Sequence, residues 1–313
     1  MNRQPIIIDT DPGQDDAIAL LLAAASPELE LLGVTTVAGN VPLALTTLNA
    51  RKVLELAGRR DVPICAGADR PLDVPLVTAE HVHGDTGLNG VDLPEPTLAV
   101  DERHAVDFIV QTLREREAGS VTLCPLGPLT NIALALRRAP DIAPRIRRIV
   151  LMGGGFFEGG NVTPAAEFNF YVDPQAAHEV FTSGVPITMA PLDVTHEVLT
   201  TAARIAAIRA LGNRAGSVAA AWMEFFERYD EEKYGQDGGP LHDPCVIAFL
   251  LRPALFQSRD CNVRIETQSE LTRGMSVIDW WGVTGLAANA QVLRHADADG
   301  FFALLTERLA RLG

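Results

Sequence analysis

Two rhythms of hydrophobic and polar positions alternate along this chain. Short apolar runs at 6–8, 31–37, 62–66, 120–124, 148–152 and 186–189 have the length and makeup of buried strands. Between them, 15–25, 42–57, 105–114, 128–138 and 176–182 have helical character, and Gly58 stops the second of these segments. Strands separated by helices predict a parallel sheet wrapped by helices on both faces. Residues 202–234 read as largely helical, and 245–251 as an apolar helix. Strand-like segments at 261–266, 275–279 and 291–293, with a last helix near 300–309, complete the pattern. Residues 67–100 break the rhythm. They are rich in Pro, Gly and Asp, and a long irregular segment of this kind suits a functional lid. No linker, repeat or low-complexity run divides the chain, so a single α/β domain over 1–313 is expected.

Composition narrows the partners. With 47% hydrophobic and 21% charged residues the chain can bury a sizeable core, and its formal charge of −14 repels phosphate backbones and anionic lipids. Nucleic acid and membrane are therefore not expected as partners. The basic runs at 137–138 and 145–148 flank a predicted strand and are too short to form a binding patch. Four scattered cysteines show no paired or metal-ligand spacing and read as reduced, small hydrophobes. The first residues lead directly into the strand-like run 5–8 without a signal-type h-region, and no segment resembles a membrane span. A cytoplasmic location is expected.

The strongest chemical signal is Asp9-Thr10-Asp11-Pro12-Gly13-Gln14-Asp15-Asp16, at the junction of the first strand and first helix. Carboxylates so close repel one another and raise each other's pKa values. A helix N-terminus supplies only about half a positive charge against them. An acidic capping turn explains one aspartate but not four. A divalent cation resolves the conflict, and all-oxygen ligands favour Ca²⁺ or Mg²⁺ over zinc. Other polar clusters recur at predicted strand ends: Val37-Ala38-Gly39-Asn40, Leu126-Gly127-Pro128-Leu129-Thr130-Asn131, and Met152-Gly153-Gly154-Gly155. In an open parallel sheet these ends converge on one ligand crevice. Leu241-His242-Asp243-Pro244 reads as an ordinary cap before a helix, or as a further part of the site. The loop 160–169 offers Asn161, Glu167 and Asn169, groups suited to a polyhydroxyl ligand.

Taken in order, these motifs resemble those of the inosine-uridine-preferring nucleoside hydrolases, over essentially the whole chain. The resemblance implies a single domain with a Rossmann-like, mostly parallel sheet flanked by helices, assembled as a homodimer or homotetramer around bound Ca²⁺. It implies Asp11, Asp16, Asp243 and the backbone carbonyl of Leu126 as metal ligands. Asp15, Asn40 and Asn169 would hold the ribose 2′- and 3′-hydroxyls, and Asn161 and Glu167 the 5′-hydroxyl. Met152 would pack beneath the sugar and His83 close over it. The implied activity is calcium-dependent hydrolysis of the N-glycosidic bond of ribonucleosides, giving ribose and free base. A metal-activated water attacks with Asp11 as its base, and His242 stabilises or protonates the departing base. Some relatives carry tryptophan at that position and activate purines by stacking, so histidine points to the broader or pyrimidine-favouring group. Tyr229 and Tyr234 are expected near the base. Two other readings are a catalytically silent riboside-binding protein of the same fold and a haloacid-dehalogenase-type phosphatase. The second wants Thr or Val where Gly13 stands. An EF-hand-like loop is spoiled by Pro12 and by Leu20 at the position of its closing glutamate.

Overall fold

The computed structural model describes residues 3–234 and 238–313. Its layering starts from the period of two along a strand. On β1 (Gln4–Thr10), Ile6 and Ile8 enter one apolar cluster and Ile7 the other, on the opposite face. Each of these side chains is at most 1% exposed, which stabilises the fold by roughly 1.5–3 kcal/mol apiece. From there the chain runs α1 (Gln14–Ala24), β2 (Leu29–Thr36), α2 (Leu43–Leu56), β3 (Ile64–Ala66), α3 (Glu80–His83), α4 (Ala105–Glu115), β4 (Val121–Pro125) and α5 (Thr130–Arg138). It continues through β5 (Ile146–Met152), α6 (Phe168–Val172), α7 (Pro174–Thr182), β6 (Ile187–Ala190), α8 (Leu192–Thr195), α9 (Ala202–Arg209) and α10 (Arg214–Tyr234). The last elements are α11 (Pro244–Leu251), β7 (Phe256–Ile265), β8 (Ser276–Asp279), β9 (Ala290–Ala296) and α12 (Ala298–Leu309).

The strands form one nine-stranded sheet in the order β3-β2-β1-β4-β5-β6-β9-β7-β8. Every pairing from β3 to β9 is parallel, and β7 runs antiparallel to both β9 and β8. Helices α4, α5 and α7 cover the face that receives Ile7, while α1, α2 and α9 to α12 cover the other. Helix α1 is buried almost all round because α2, α10, α11 and α12 pack against it. The order reverses at β1: β2 and β3 lie on one side, β4 and β5 on the other. At such a switch the connections leave in opposite directions, and a crevice opens between the carboxyl ends of β1 and β4. The Asn131 side chain ties that region together. Its Nδ2 donates to Asp9 Oδ1 (2.8 Å) and to the Thr36 carbonyl (3.0 Å), while its Oδ1 accepts from the Ala68 amide (2.9 Å).

The sequence-based pattern and the structure differ in a few places. The expected helical stretch 202–234 is two helices, α9 and α10, interrupted where Gly212 takes a φ of +71°. The third strand begins at Ile64 rather than at 62, after Pro63. Strand β7 starts five residues before 261 because its first half is largely exposed and lacks an apolar run. Residues 67–100 contain only the four-residue α3; α8 is as short and α6 has five residues.

Candidate active site

The acidic turn is built by the entry into α1. The Gly13 amide donates to Asp16 Oδ2 (2.9 Å), the Thr10 hydroxyl donates to Asp16 Oδ1, and Asn40 Nδ2 reaches Asp16 Oδ2 at 3.2 Å. Asp243, just ahead of Pro244 at the start of α11, meets this turn from the far end of the chain. One oxygen each from Asp15, Asp16 and Asp243 lie within 4.8 Å of one another. The carboxyl groups of Asp16 and Asp243 face each other at hydrogen-bonding range, an arrangement that two charged carboxylates hold only by sharing a proton or a cation.

Asp11 adjoins this trio in a slot made of glycine. A Cβ on Gly39 would sit 2.0 Å from Asp11 Oδ2, and one on Gly127 would sit 2.1 Å from Oδ1. The Asn40 amide donates to Oδ2 at 2.7 Å and closes the slot. Burial, and then repulsion among neighbours, pushes Asp11 and Asp243 well above the usual carboxylate range and Asp15 up to about 8. Burial also raises Asp16. This donor set is buried and made of carboxyl oxygens, which fits a hard divalent cation and does not fit zinc's preference for nitrogen and sulfur.

Beside the carboxylates opens a cavity of about 740 Å³, counting the open space at its mouth. Asp15, Asp243 and the Leu126 segment line its floor. Along one side stand Asn40, Met152, Asn161, Glu167 and Asn169. Asn40 uses its Nδ2 on the Asp11 carbonyl (3.1 Å) and on Asp16. Asn169 Nδ2 donates to the Leu126 carbonyl (2.7 Å) and approaches Met152 Sδ (3.4 Å). Glu167 caps α6 by accepting from the Asn169 and Phe170 amides (2.9 and 3.3 Å) and also accepts from the Gly154 amide (2.9 Å), and burial still lifts its pKa to about 7. Asn161 Oδ1 accepts from the Phe168 amide at 2.9 Å, which folds the loop back on itself.

The remaining wall is aromatic. His83 stacks on Phe226 with ring centroids 5.6 Å apart, Phe226 meets His242 edge-on at 6.2 Å, and His242 lies 5.8 Å from His196. Gln14 donates from Nε2 to the His83 carbonyl and the Asn89 carbonyl, so its Oε1 accepts the proton on His83 Nδ1 (2.7 Å). Burial lowers His83 to about 3 and drives His242 well below the ordinary histidine value, with His196 adding to the second shift. The Nδ1 of His242 is held by the Thr195 hydroxyl at 2.8 Å.

Ten of the twelve residues expected from sequence line this one cavity: Asp15, Asn40, His83, Leu126, Met152, Asn161, Glu167, Asn169, His242 and Asp243. The other two, Asp11 and Asp16, adjoin it at 1% exposure each. The side chains of Tyr229 and Tyr234 lie outside the described residues. Reading the sequence missed Asp193, Thr195 and His196 on and after α8, and Phe226 on α10. The buried Asp193 carboxylate accepts from the Phe156, Phe157 and Glu158 amides (2.9, 2.9 and 3.2 Å) and so anchors the loop that leads to Asn161. The signal was available. Leu192-Asp193-Val194-Thr195-His196 is another polar cluster just past a strand's carboxyl end.

Residues 6–303 match the model of the family described as inosine-uridine preferring nucleoside hydrolase. The chain is 59% identical over 307 residues to an uncharacterized protein of Schizosaccharomyces pombe, covering 98% of this chain and 99% of that one. It is 51% identical over 308 residues to the pyrimidine-specific ribonucleoside hydrolase RihA of Shewanella sp. (strain ANA-3), covering 98% and 96%. Among solved structures, the purine-preferring ribonucleoside hydrolase from Gardnerella vaginalis superposes with a TM-score of 0.92 at 32% identity, covering 98% of each chain.

Proposed function

Because the chain belongs to the inosine-uridine preferring nucleoside hydrolases and is an N-ribosyl hydrolase, we propose that it cleaves pyrimidine ribonucleosides, with a bound Ca²⁺, to ribose and free base. The observation that carries the proposal is the cavity itself. Its lining brings buried, mutually repelling carboxylates together with amides suited to sugar hydroxyls. The pyrimidine preference rests on His242 in place of an indole, and on relatives near half identity that are named pyrimidine-specific.

Asp11, Asp16, Asp243 and the Leu126 carbonyl hold the cation, with Asp15 within reach of the same point. When bound, the cation supplies positive charge that acidifies a water and offsets the carboxylate repulsion. Calcium acidifies water less than zinc does, so a base is needed. Asp11 would serve, its carboxylate positioned by the two glycines and the Asn40 amide. Asp15, Asn40 and Asn169 hold the 2′- and 3′-hydroxyls, and Asn161 and Glu167 the 5′-hydroxyl. Their contacts strengthen as positive charge develops on the ribose ring at the oxocarbenium-like transition state. Met152 supports the sugar from below and His83 closes the cavity from α3. His242 meets the departing base through Nε2, with Thr195 fixing the other nitrogen.

The assembly we propose is a homodimer or homotetramer, supported by the exposed Trp281, Val283 and Leu286 beyond the edge strand β8. Four buried free thiols fit a reducing, cytoplasmic setting, and among the described residues no helix is long and apolar enough to cross a membrane. The test is ribose release from uridine, cytidine, inosine, adenosine and guanosine. Faster release from the two pyrimidine nucleosides supports the reading. Binding of a nucleoside without any release overturns it in favour of a silent riboside-binding protein.

A further inference from the structure

We propose that His196, held by Glu158, is the base-contacting residue that fixes this enzyme's preference among nucleobases. The inference rests on the ribonucleoside reading above and deepens it. The polar groups along the amide side of the cavity are assigned to the sugar, and the carboxylates to the floor. Beyond the rings of His83 and His242, the polar side chains left on the lining among the described residues are His81 and His196. His81 is exposed on the outer side of α3. His196 stands next to His242 in the aromatic wall, 5.8 Å between ring centroids and tilted by 52°. A base whose sugar-linked end is met by His242 presents its remaining polar edge to the next group along that wall, and that group is His196.

The local build also favours a positioned imidazole. Thr195 and His196 are consecutive at the end of α8: the first orients His242, and the second packs beside it. Glu158 Oε2 lies 3.4 Å from His196 Nδ1, with the two side chains 41% and 15% exposed. A carboxylate is an acceptor only, so at that distance it favours the tautomer with its proton on Nδ1. We assign base contact to the other nitrogen, Nε2. Glu158 is itself fixed by Asp193, which grips its backbone amide from the start of α8. The sugar loop and the base-contacting ring are therefore locked to one short helix, and the distance between the two ends of the ligand is set by the fold. An imidazole edge offers one directional hydrogen bond to a small ring. A fixed side chain that makes it discriminates between bases because the wrong base leaves it unpaired.

The test uses the full-length protein loaded with calcium. His196→Phe should lower kcat/KM for uridine and cytidine by roughly 10–100-fold, with the larger share in KM, as expected for lost binding contact. On p-nitrophenyl riboside, whose leaving group has no pyrimidine edge, the loss should be at least tenfold smaller. His196→Gln, which retains a polar amide at that distance, should recover most of the loss. Glu158→Ala, at a more exposed position, should move the same ratio in the same direction by a smaller factor. Equal losses on all three substrates, or Phe and Gln variants that behave alike, overturn the assignment and leave His196 as support for the loop. Wild-type protein that releases ribose from no nucleoside overturns the ribonucleoside reading and this inference together, whereas active wild type with indifferent variants overturns this inference alone.

Discussion

Gly39→Ala is the sharpest probe of how Asp11 is held. The backbone at Gly39 has no left-handed φ, so alanine meets no conformational penalty there and the whole effect is one of space. Its Cβ would stand 2.0 Å from Asp11 Oδ2, where non-bonded contacts need at least 3.0 Å, so something must yield by about an ångström. The carboxylate has little freedom to retreat, because Gly127, where an added Cβ would also clash with Oδ1, backs it on the other side and the Asn40 amide grips Oδ2 at 2.7 Å. A displacement of about 1 Å in a reacting group costs on the order of 10² in rate, or about 2.7 kcal/mol of transition-state stabilisation. Overpacking of this kind costs about 1–3 kcal/mol of stability, which a chain of this size tolerates. The assay is kcat/KM for uridine at saturating calcium, with the thermal transition followed in parallel. A folded variant within about threefold of wild type refutes the argument that the glycine slot positions Asp11.

Three further outcomes follow from the same geometry. Exhaustive chelation should abolish ribose release and re-addition of calcium restore it, with about one ion per chain by elemental analysis, as expected for a single oxygen-rich site; full activity without any divalent metal, or stoichiometric zinc, contradicts the donor set. His242→Ala should slow uridine and cytidine by roughly 10²–10⁴ while p-nitrophenyl riboside slows far less, because that leaving group departs as a stable anion; equal losses on both would reduce His242 to a support for Asp243. Glu167 has a folded-state pKa raised from its ordinary value to about 7, so the folded state binds its proton more tightly than the unfolded state does. That contribution is present below about 4.5 and is lost as pH rises towards 7, so wild type should lose stability relative to Glu167→Gln between pH 5 and 8 in parallel melts. A difference that stays constant with pH contradicts the burial of that carboxyl group.

Much of the site was legible because parallel sheets place function where strands stop. Asp11, Asn40, Leu126 and Met152 each stand just past an apolar run, and the topology gathers those ends whatever lies between them. Asp243 was ambiguous alone, since Asp before Pro is an ordinary start for a helix such as α11. It took the fold to bring that residue against Asp16. His196 was harder to see because α8 has only four residues, too few to show a helical period. The strand before it gave the only cue. The break between α9 and α10 escaped for a related reason. Its apolar residues flank Gly212 on both sides, and a glycine within a helical pattern reads as tolerated until its φ is known. Strand β7 hid its first half because edge positions facing solvent carry polar residues.

The central place of β1 bears on the order in which the protein matures. This strand precedes its partner β4 by six elements, two strands and four helices, and Asp243 comes later still. Contacts that distant in sequence form late, since much chain entropy is lost before they return any stability. The carboxylates of the first turn therefore leave the ribosome as a flexible acidic segment and become a cage only when the rest of the sheet has closed around them. A cation that recognises the closed cage alone stabilises the finished fold by mass action and cannot guide its assembly. Calcium supplied during refolding should raise the yield of folded protein by slowing its unfolding, and leave the rate of folding almost untouched.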